Sequence, residues 1–290
     1  MATGALVVDR VTVEFGGVRA LDQVSLTAGS GEVVGVIGPN GAGKTTLFNV
    51  VCGFVRPDGG TLEFDGRPLR RHRPHDLAGL GIARTLQGVG LFPGLTVLEN
   101  VMAGAGTKAT AGFGASLLGL GRSSGDERQL EDRARRALDE LHVSEWATRV
   151  PATLPYAVQK RVALARALVG EPVLLLLDEP ASGLSEAEMD ELGALVRRLR
   201  ERMGVVLVEH HMDLVMSVCD RLVVLDFGRV IATGPPAEVR ADPAVTRAYL
   251  GEDVSSIDAA DLTGVAVVGA DPVAVAEGAD AAVDEPPGDA

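Results

Sequence analysis

Three features of the sequence predict an α/β fold with an antiparallel β subdomain in front and a helical subdomain inserted in its middle. Val173 to Leu177 (VLLLL) and Val205 to Val208 (VVLV) are apolar at every position, as strands of a parallel sheet buried on both faces must be. A helix-length segment through Arg200 separates these two runs, giving the strand–helix–strand alternation of an α/β protein. Gly31 to Gly38 (GEVVGVIG) is a third short apolar strand, and it opens directly into a glycine-rich turn.

Taken in order, Ala5 to Phe15 and Val18 to Leu26 alternate apolar and polar residues, the pattern of antiparallel strands. The helix after the glycine-rich turn covers Lys44 to Cys52 and is closed by Gly53. Residues 61–70 read as a further exposed strand. A mostly helical insertion spans about residues 100–165. Within it, Leu130, Ala134, Ala137, Leu138 and Leu141 recur at helical spacing among the charges of GDERQLEDRARRALDELH, which makes that segment an amphipathic helix. No internal repeat is present.

The net charge of −13 is unevenly distributed. Residues 254–290 hold eight acids and no Lys or Arg, among many Ala, Gly and Pro, and read as a disordered, solvated tail. Residues 1–253 carry 32 acids against 27 bases, so neither part has the basic excess of a nucleic-acid binder. The two cysteines, Cys52 and Cys219, imply no disulfide framework and suit a reducing cytoplasm. MATGALVVDR lacks the basic and apolar regions of a secretory signal. No apolar stretch approaches the roughly 20 residues that span a bilayer, so the chain is expected not to enter a membrane by itself.

The segment Gly38-Pro39-Asn40-Gly41-Ala42-Gly43-Lys44-Thr45, followed by Thr46, has the spacing G-x-x-x-x-G-K-[ST] between a strand and a helix. A triphosphate needs many donors at close range, and backbone N–H groups at a helix N-terminus supply them. The glycines let the backbone bend and approach where a Cβ would collide. Lys44 reaches the β- and γ-phosphates, and the Thr45 hydroxyl is placed to ligate Mg2+. Val173 to Leu177 leads into Asp178-Glu179-Pro180, acids at the carboxyl end of a buried strand, where open α/β sheets bind ligands. In that position Asp178 holds Mg2+, through water, and Glu179 accepts the proton of an attacking water. The second run ends in Glu209-His210-His211. Strand alternation sends neighbouring side chains to opposite faces, so one histidine can face the phosphates and the two are not expected to share a metal.

Together these features resemble the ATP-binding subunits of ABC transporters, P-loop NTPases with the ABC ATPase fold. Six segments carry the resemblance in order: Phe15, Gly38–Thr46, Gln87 in ARTLQ, Leu154–Gln159, Val173–Glu179 and His210. It covers residues 5 to about 251 and implies an ABC ATP-binding domain over 1–253. It also implies that Phe15 stacks on the adenine of ATP. Gln87 contacts Mg2+ or the lytic water and senses the membrane partner, and His210 holds the γ-phosphate. GIARTLQ with LFPGLTVLENV, Leu117-Leu118-Gly119, EHHMDLVMSVCDR and RAYLG look like the importers of branched-chain and other hydrophobic amino acids. The implied partners are membrane permease subunits, a second ATP-binding subunit and an external solute-binding protein. The implied location is peripheral, on the cytoplasmic face of the inner (plasma) membrane.

Two segments depart from the family pattern. The signature that one subunit offers to its partner's nucleotide is Leu-Ser-Gly-Gly-Gln, and here it reads Leu154-Pro155-Tyr156-Ala157-Val158. Pro155 has neither hydroxyl nor N–H, and Val158 has no amide. Ala157 either adds a methyl where Gly allows close approach or carries a positive-φ penalty of about 1 kcal/mol. Ser185 stands where Asp or Asn is usual. A weak signature beside an intact phosphate loop, Glu179 and His210 favours a heterodimer over a homodimer. Two other readings are a soluble, non-transport ABC ATPase and a regulatory nucleotide-binding subunit with weak turnover. The single phosphate loop and the absence of sustained heptads argue against the first, and Glu179 argues against the second. The transported solute is not written in this chain.

Overall fold

A computed structural model of the protein describes residues 4–85, 88–105 and 124–250, with backbone alone at 124–126 and 250. Gln87, Leu117-Leu118-Gly119 and the acidic stretch 254–290 lie outside these residues. The strands are β1 (Leu6–Phe15), β2 (Val18–Ala28), β3 (Val33–Ile37), β4 (Gly59–Phe64), β5 (Arg67–Pro68), β6 (Ile82–Arg84), β7 (Leu174–Asp178), β8 (Gly204–Val208), β9 (Arg221–Asp226) and β10 (Arg229–Gly234). The α-helices are α1 (Lys44–Val51), α2 (Leu77–Leu80), α3 (Val97–Ala103), α4 (Ser124–Glu140), α5 (Tyr156–Leu168), α6 (Glu186–Arg200), α7 (Met212–Val218), α8 (Pro236–Ala241) and α9 (Pro243–Leu250).

The front of the chain forms an antiparallel sheet in the order β2-β1-β4-β5. Phe15 pairs with Val18 across a turn at Gly16 and Gly17, both at positive φ. The second sheet has the order β10-β9-β3-β8-β7-β6, with β9, β3, β8, β7 and β6 parallel and β10 antiparallel at one edge. Its central strands are buried along their whole length, which explains the unbroken apolar runs.

Alternation along those strands divides the interior in two. Leu175 and Leu177 of β7, with Val205 and Leu207 of β8, pack among the helices of the middle and late chain. Leu174, Leu176, Val206 and Val208 face the other way, toward α1 and the antiparallel sheet. Leu130, Ala134, Ala137 and Leu138 of α4, and Leu141 just beyond it, are all buried in the first cluster, so the amphipathic stripe is a packing face. Asn100 of α3 is fully buried; its Nδ2 donates to the carbonyls of Phe92, Leu95 and Thr96, and its Oδ1 accepts the Phe92 N–H at 2.7 Å. That one amide fastens the loop before α3 to the helix. No helix among the described residues is long and apolar enough to cross a membrane.

The candidate nucleotide site

Parallel pairing brings the ends of β3, β8 and β7 side by side, so the glycine-rich loop, the Glu209 segment and Asp178 share the carboxyl edge of one sheet. At the loop, φ is 146° at Gly38, 78° at Gly41 and 103° at Gly43. A Cβ at Gly38 would lie 2.0 Å from the Leu225 carbonyl oxygen, and one at Gly43 would lie 2.6 Å from the Ala20 oxygen. Nothing lies within 4 Å at Gly41. Two of the glycines are thus demanded by contact with the protein's own backbone, and Gly41 by its backbone angle. Lys44 opens α1, and its Nζ donates to the carbonyls of Gly38 and Pro39 at 2.5 and 2.7 Å, which holds the ammonium over the loop. Gly228 N–H donates to Ala42 O at 3.0 Å, so the β9–β10 turn braces the loop from behind. Thr45 and Thr46 occupy the first turn of α1, where no acidic side chain competes for an anion.

Asp178 is 4% exposed at the end of β7, and its Oδ2 accepts from Arg84 Nη2 at 2.7 Å. Arg84 also donates to Asn49 Oδ1 of α1 at 3.1 Å, and its guanidinium carbon lies 5.8 Å from the Phe48 ring centre and 5.7 Å from that of Phe54. Sequence reasoning passed over Arg84, although its place as the arginine of ARTLQ, three residues before Gln87, was a signal. Glu179 adopts φ 47°, rare outside glycine, while its N–H donates to Val208 O at 2.9 Å. Lys160 of α5, also passed over, donates to the carbonyls of Glu179 and Pro180 at 3.3 and 2.8 Å. Burial lowers the Lys160 pKa, and the charges of Glu209 and Glu179 work against that lowering. A cavity of about 440 Å³ reaches from Asp178 and Glu179 along α5, past Ala157 and Lys160.

Glu209 overturns one expectation. Strand β8 stops at Val208, so alternation does not govern the next three residues, and the two histidine rings lie together with centroids 4.2 Å apart. Glu209 is 1% exposed; its Oε1 accepts from Ala181 N–H at 2.7 Å, and its Oε2 accepts from the N–H groups of His210 and His211 at 2.9 and 3.2 Å. One buried carboxylate therefore ties the loop after β7 to the loop after β8.

At the signature segment, Leu154 is buried and Pro155 immediately precedes α5. Pro155 occupies the N-cap position of a helix that no side chain caps, so its missing N–H removes no helical hydrogen bond there. Ala157 is helical and not at positive φ, which removes the strain reading and leaves its methyl as the difference from Gly. Val158 packs partly buried against the helical core. Tyr156 is 43% exposed, with Lys160 Nζ 5.4 Å from its ring centre. Ser185 donates its N–H and hydroxyl to Glu188, both at 2.8 Å, at the start of α6. Phe15 is 52% exposed at the end of β1, and Phe54, Phe92 and Phe227 are likewise exposed elsewhere on the surface.

A family model described as ABC transporter matches residues 21–182, taking in the phosphate loop, Asp178 and Glu179. The chain belongs to this family. A second model, described as branched-chain amino acid ATP-binding cassette transporter, matches residues 229–255. Among relatives of this ABC protein, the high-affinity branched-chain amino acid transport ATP-binding protein BraF of Pseudomonas aeruginosa is 40% identical over 254 residues, covering 87% of this chain and 100% of BraF. LivG of Escherichia coli K12, of the same description, is 38% identical over the same shares. The lipopolysaccharide export system ATP-binding protein LptB of Haemophilus influenzae is 35% identical over 81% of this chain and 92% of its own. A nucleotide-free ATP-binding cassette from an ABC transporter superposes with a TM-score of 0.74 at 30% identity, covering 87% of this chain and all of that one. As members of the family do, this ABC subunit binds and hydrolyses ATP in the service of transport.

Proposed function

We propose that this chain is the ATPase subunit of an importer for branched-chain or other hydrophobic amino acids. The observation that carries this reading is the match of residues 229–255 to the branched-chain amino acid transporter model, beside 40% and 38% identity to BraF and LivG over the whole length of each. In our assignment residues 1–253 are the ABC domain, with a helical part at about 100–165, and 254–290 are an acidic tail. The subunit sits on the cytoplasmic face of the inner membrane, bound to permease subunits that take solute from an external binding protein. A groove lined by Phe54, Leu80, Arg84, Ala105, Arg166 and Pro172 lies beside β6, the strand leading to Gln87, and offers the permease a place to dock.

In the site, the N–H groups of Gly38–Thr46 and the Lys44 ammonium hold the β- and γ-phosphates. The buried acid at Asp178 and the hydroxyl at Thr45 suit a Mg2+ ion, which when bound neutralises charge on the β- and γ-oxygens. Glu179 takes the proton from the attacking water, His210 holds the γ-phosphate, Phe15 stacks on the adenine, and Gln87 couples the site to the permease. Deleting the gene should abolish ATP-dependent uptake of radiolabelled leucine, isoleucine and valine, with uptake restored by the wild-type chain and not by Glu179→Gln. Unimpaired uptake of all three would overturn the substrate assignment.

The altered signature supports a mixed pair of ATPase subunits. With Pro155, Ala157 and Val158 in place of donors and a close backbone, Leu154–Val158 gives a partner's nucleotide little beyond the helix N-terminus. Glu179→Gln protein that binds ATP should therefore stay monomeric in Mg-ATP when its mass is measured in solution. It should dimerise once a second ATPase chain with an intact signature is added. A clean shift to dimer by this chain alone would make the homodimer correct.

A further inference from the structure

The three residues that follow β8 form a second constellation beside the nucleotide site. Glu209 Oε2 lies 2.9 Å from Nδ1 of His211 and 3.8 Å from Nδ1 of His210, and the two rings are tilted by 37°. One donor atom from each of the three residues falls within 4.8 Å of the others. Two ligand atoms bound tetrahedrally at about 2.0–2.1 Å from zinc are roughly 3.3 Å apart. The observed 2.9 and 3.8 Å bracket that value and the remaining separation is no more than 4.8 Å, so turning the two exposed rings can bring the three donors onto one ion.

Chemistry and preorganisation point the same way. Two imidazoles and a carboxylate suit zinc, copper or nickel, whereas Mg2+ takes oxygen donors. The carboxylate is already held by three backbone N–H groups, those of Ala181, His210 and His211, as ligands in built metal sites are. The His210 side chain is 57% exposed and that of His211 32%, so an ion can reach both from solvent. Both cysteines are buried, and burial pushes Cys52 up to about 11 and Cys219 up to about 12, so neither thiol competes readily.

We propose that Glu209, His210 and His211 form a site for a divalent transition-metal ion of the zinc class, and that the ion inhibits hydrolysis by drawing His210 away from the nucleotide. Binding the ion displaces the proton shared between His211 and Glu209, which leaves to solvent. The inhibitory part rests on the reading of His210 given above; the binding part does not.

The test uses untagged, full-length, nucleotide-free protein titrated with zinc against a colorimetric chelator. The wild-type chain should take up a single tight equivalent, and His211→Asn, which removes a ligand, should bind more weakly by at least the roughly 10–100-fold that loss of an outer-shell partner costs. His211→Gln provides the same comparison should Asn disturb the loop. At a fixed free zinc concentration with Mg-ATP, wild-type turnover should fall and recover on adding chelator, while His211→Asn turnover stays the same with and without zinc. Equal zinc binding by wild type and both His211 variants would place the ion elsewhere, at His72, His75 or His142, and overturn the site. Zinc bound through His211 without loss of turnover would overturn the inhibitory role. His210→Ala turnover in zinc-free buffer then shows separately whether His210 serves the nucleotide.

Discussion

Replacing Glu179 with Gln should lower ATP turnover by about 10²–10⁴-fold and leave ATP binding intact. The amide keeps the size and shape of the carboxylate but cannot accept a proton from water. The backbone at φ 47° and the Lys160 contacts to the Glu179 and Pro180 carbonyls do not depend on the carboxylate, so the loop should keep its course in the variant. Single-turnover hydrolysis, with binding followed separately by a fluorescent nucleotide, separates the two effects. Unchanged turnover would remove Glu179 from the role of base, and lost binding would mean that the substitution had disturbed the site as a whole.

Replacing Arg84 with Met should destabilise the fold by about 3–5 kcal/mol, because it strands a buried carboxylate. The Arg84 and Asp178 side chains are 11% and 2% exposed and meet at 2.7 Å, so water cannot readily take over from the guanidinium. In a domain of this size that loss corresponds to a fall in Tm of about 10 °C. Adding Asp178→Asn to the Arg84→Met chain removes the stranded charge, and the double variant should recover much of the stability. A single variant within about 1 kcal/mol of wild type would show that the Asp178 carboxylate is not stranded when Arg84 is removed.

The contrast between these residues marks how far the sequence could be read. Glu179 was legible because the chemistry sits in consecutive positions: an apolar strand, two acids and a proline, downstream of a phosphate loop with its own spacing. The same holds for the parallel strands and for the buried stripe of α4, since periods of two and of about 3.6 residues are local properties of the chain. Alternation failed at His210 and His211 because it describes a strand, and β8 ends at Val208, where the buried Glu209 carboxylate sets the direction of the chain instead. Of the two alternatives left open at Ala157, an added methyl or a positive φ, the structure takes the first, since α5 begins early enough to make that residue helical.

From the sequence alone came the fold class, the phosphate loop, the two acids and the family they resemble, because each depends on residue types at short, regular intervals. Only the tertiary structure decided that Arg84 meets Asp178 across 94 positions, that Lys160 braces the Glu179 loop, and that Glu209 gathers both histidines. Those contacts depend on which strands lie side by side and where each one stops. Both follow from packing the two faces of the sheet, which no local pattern records.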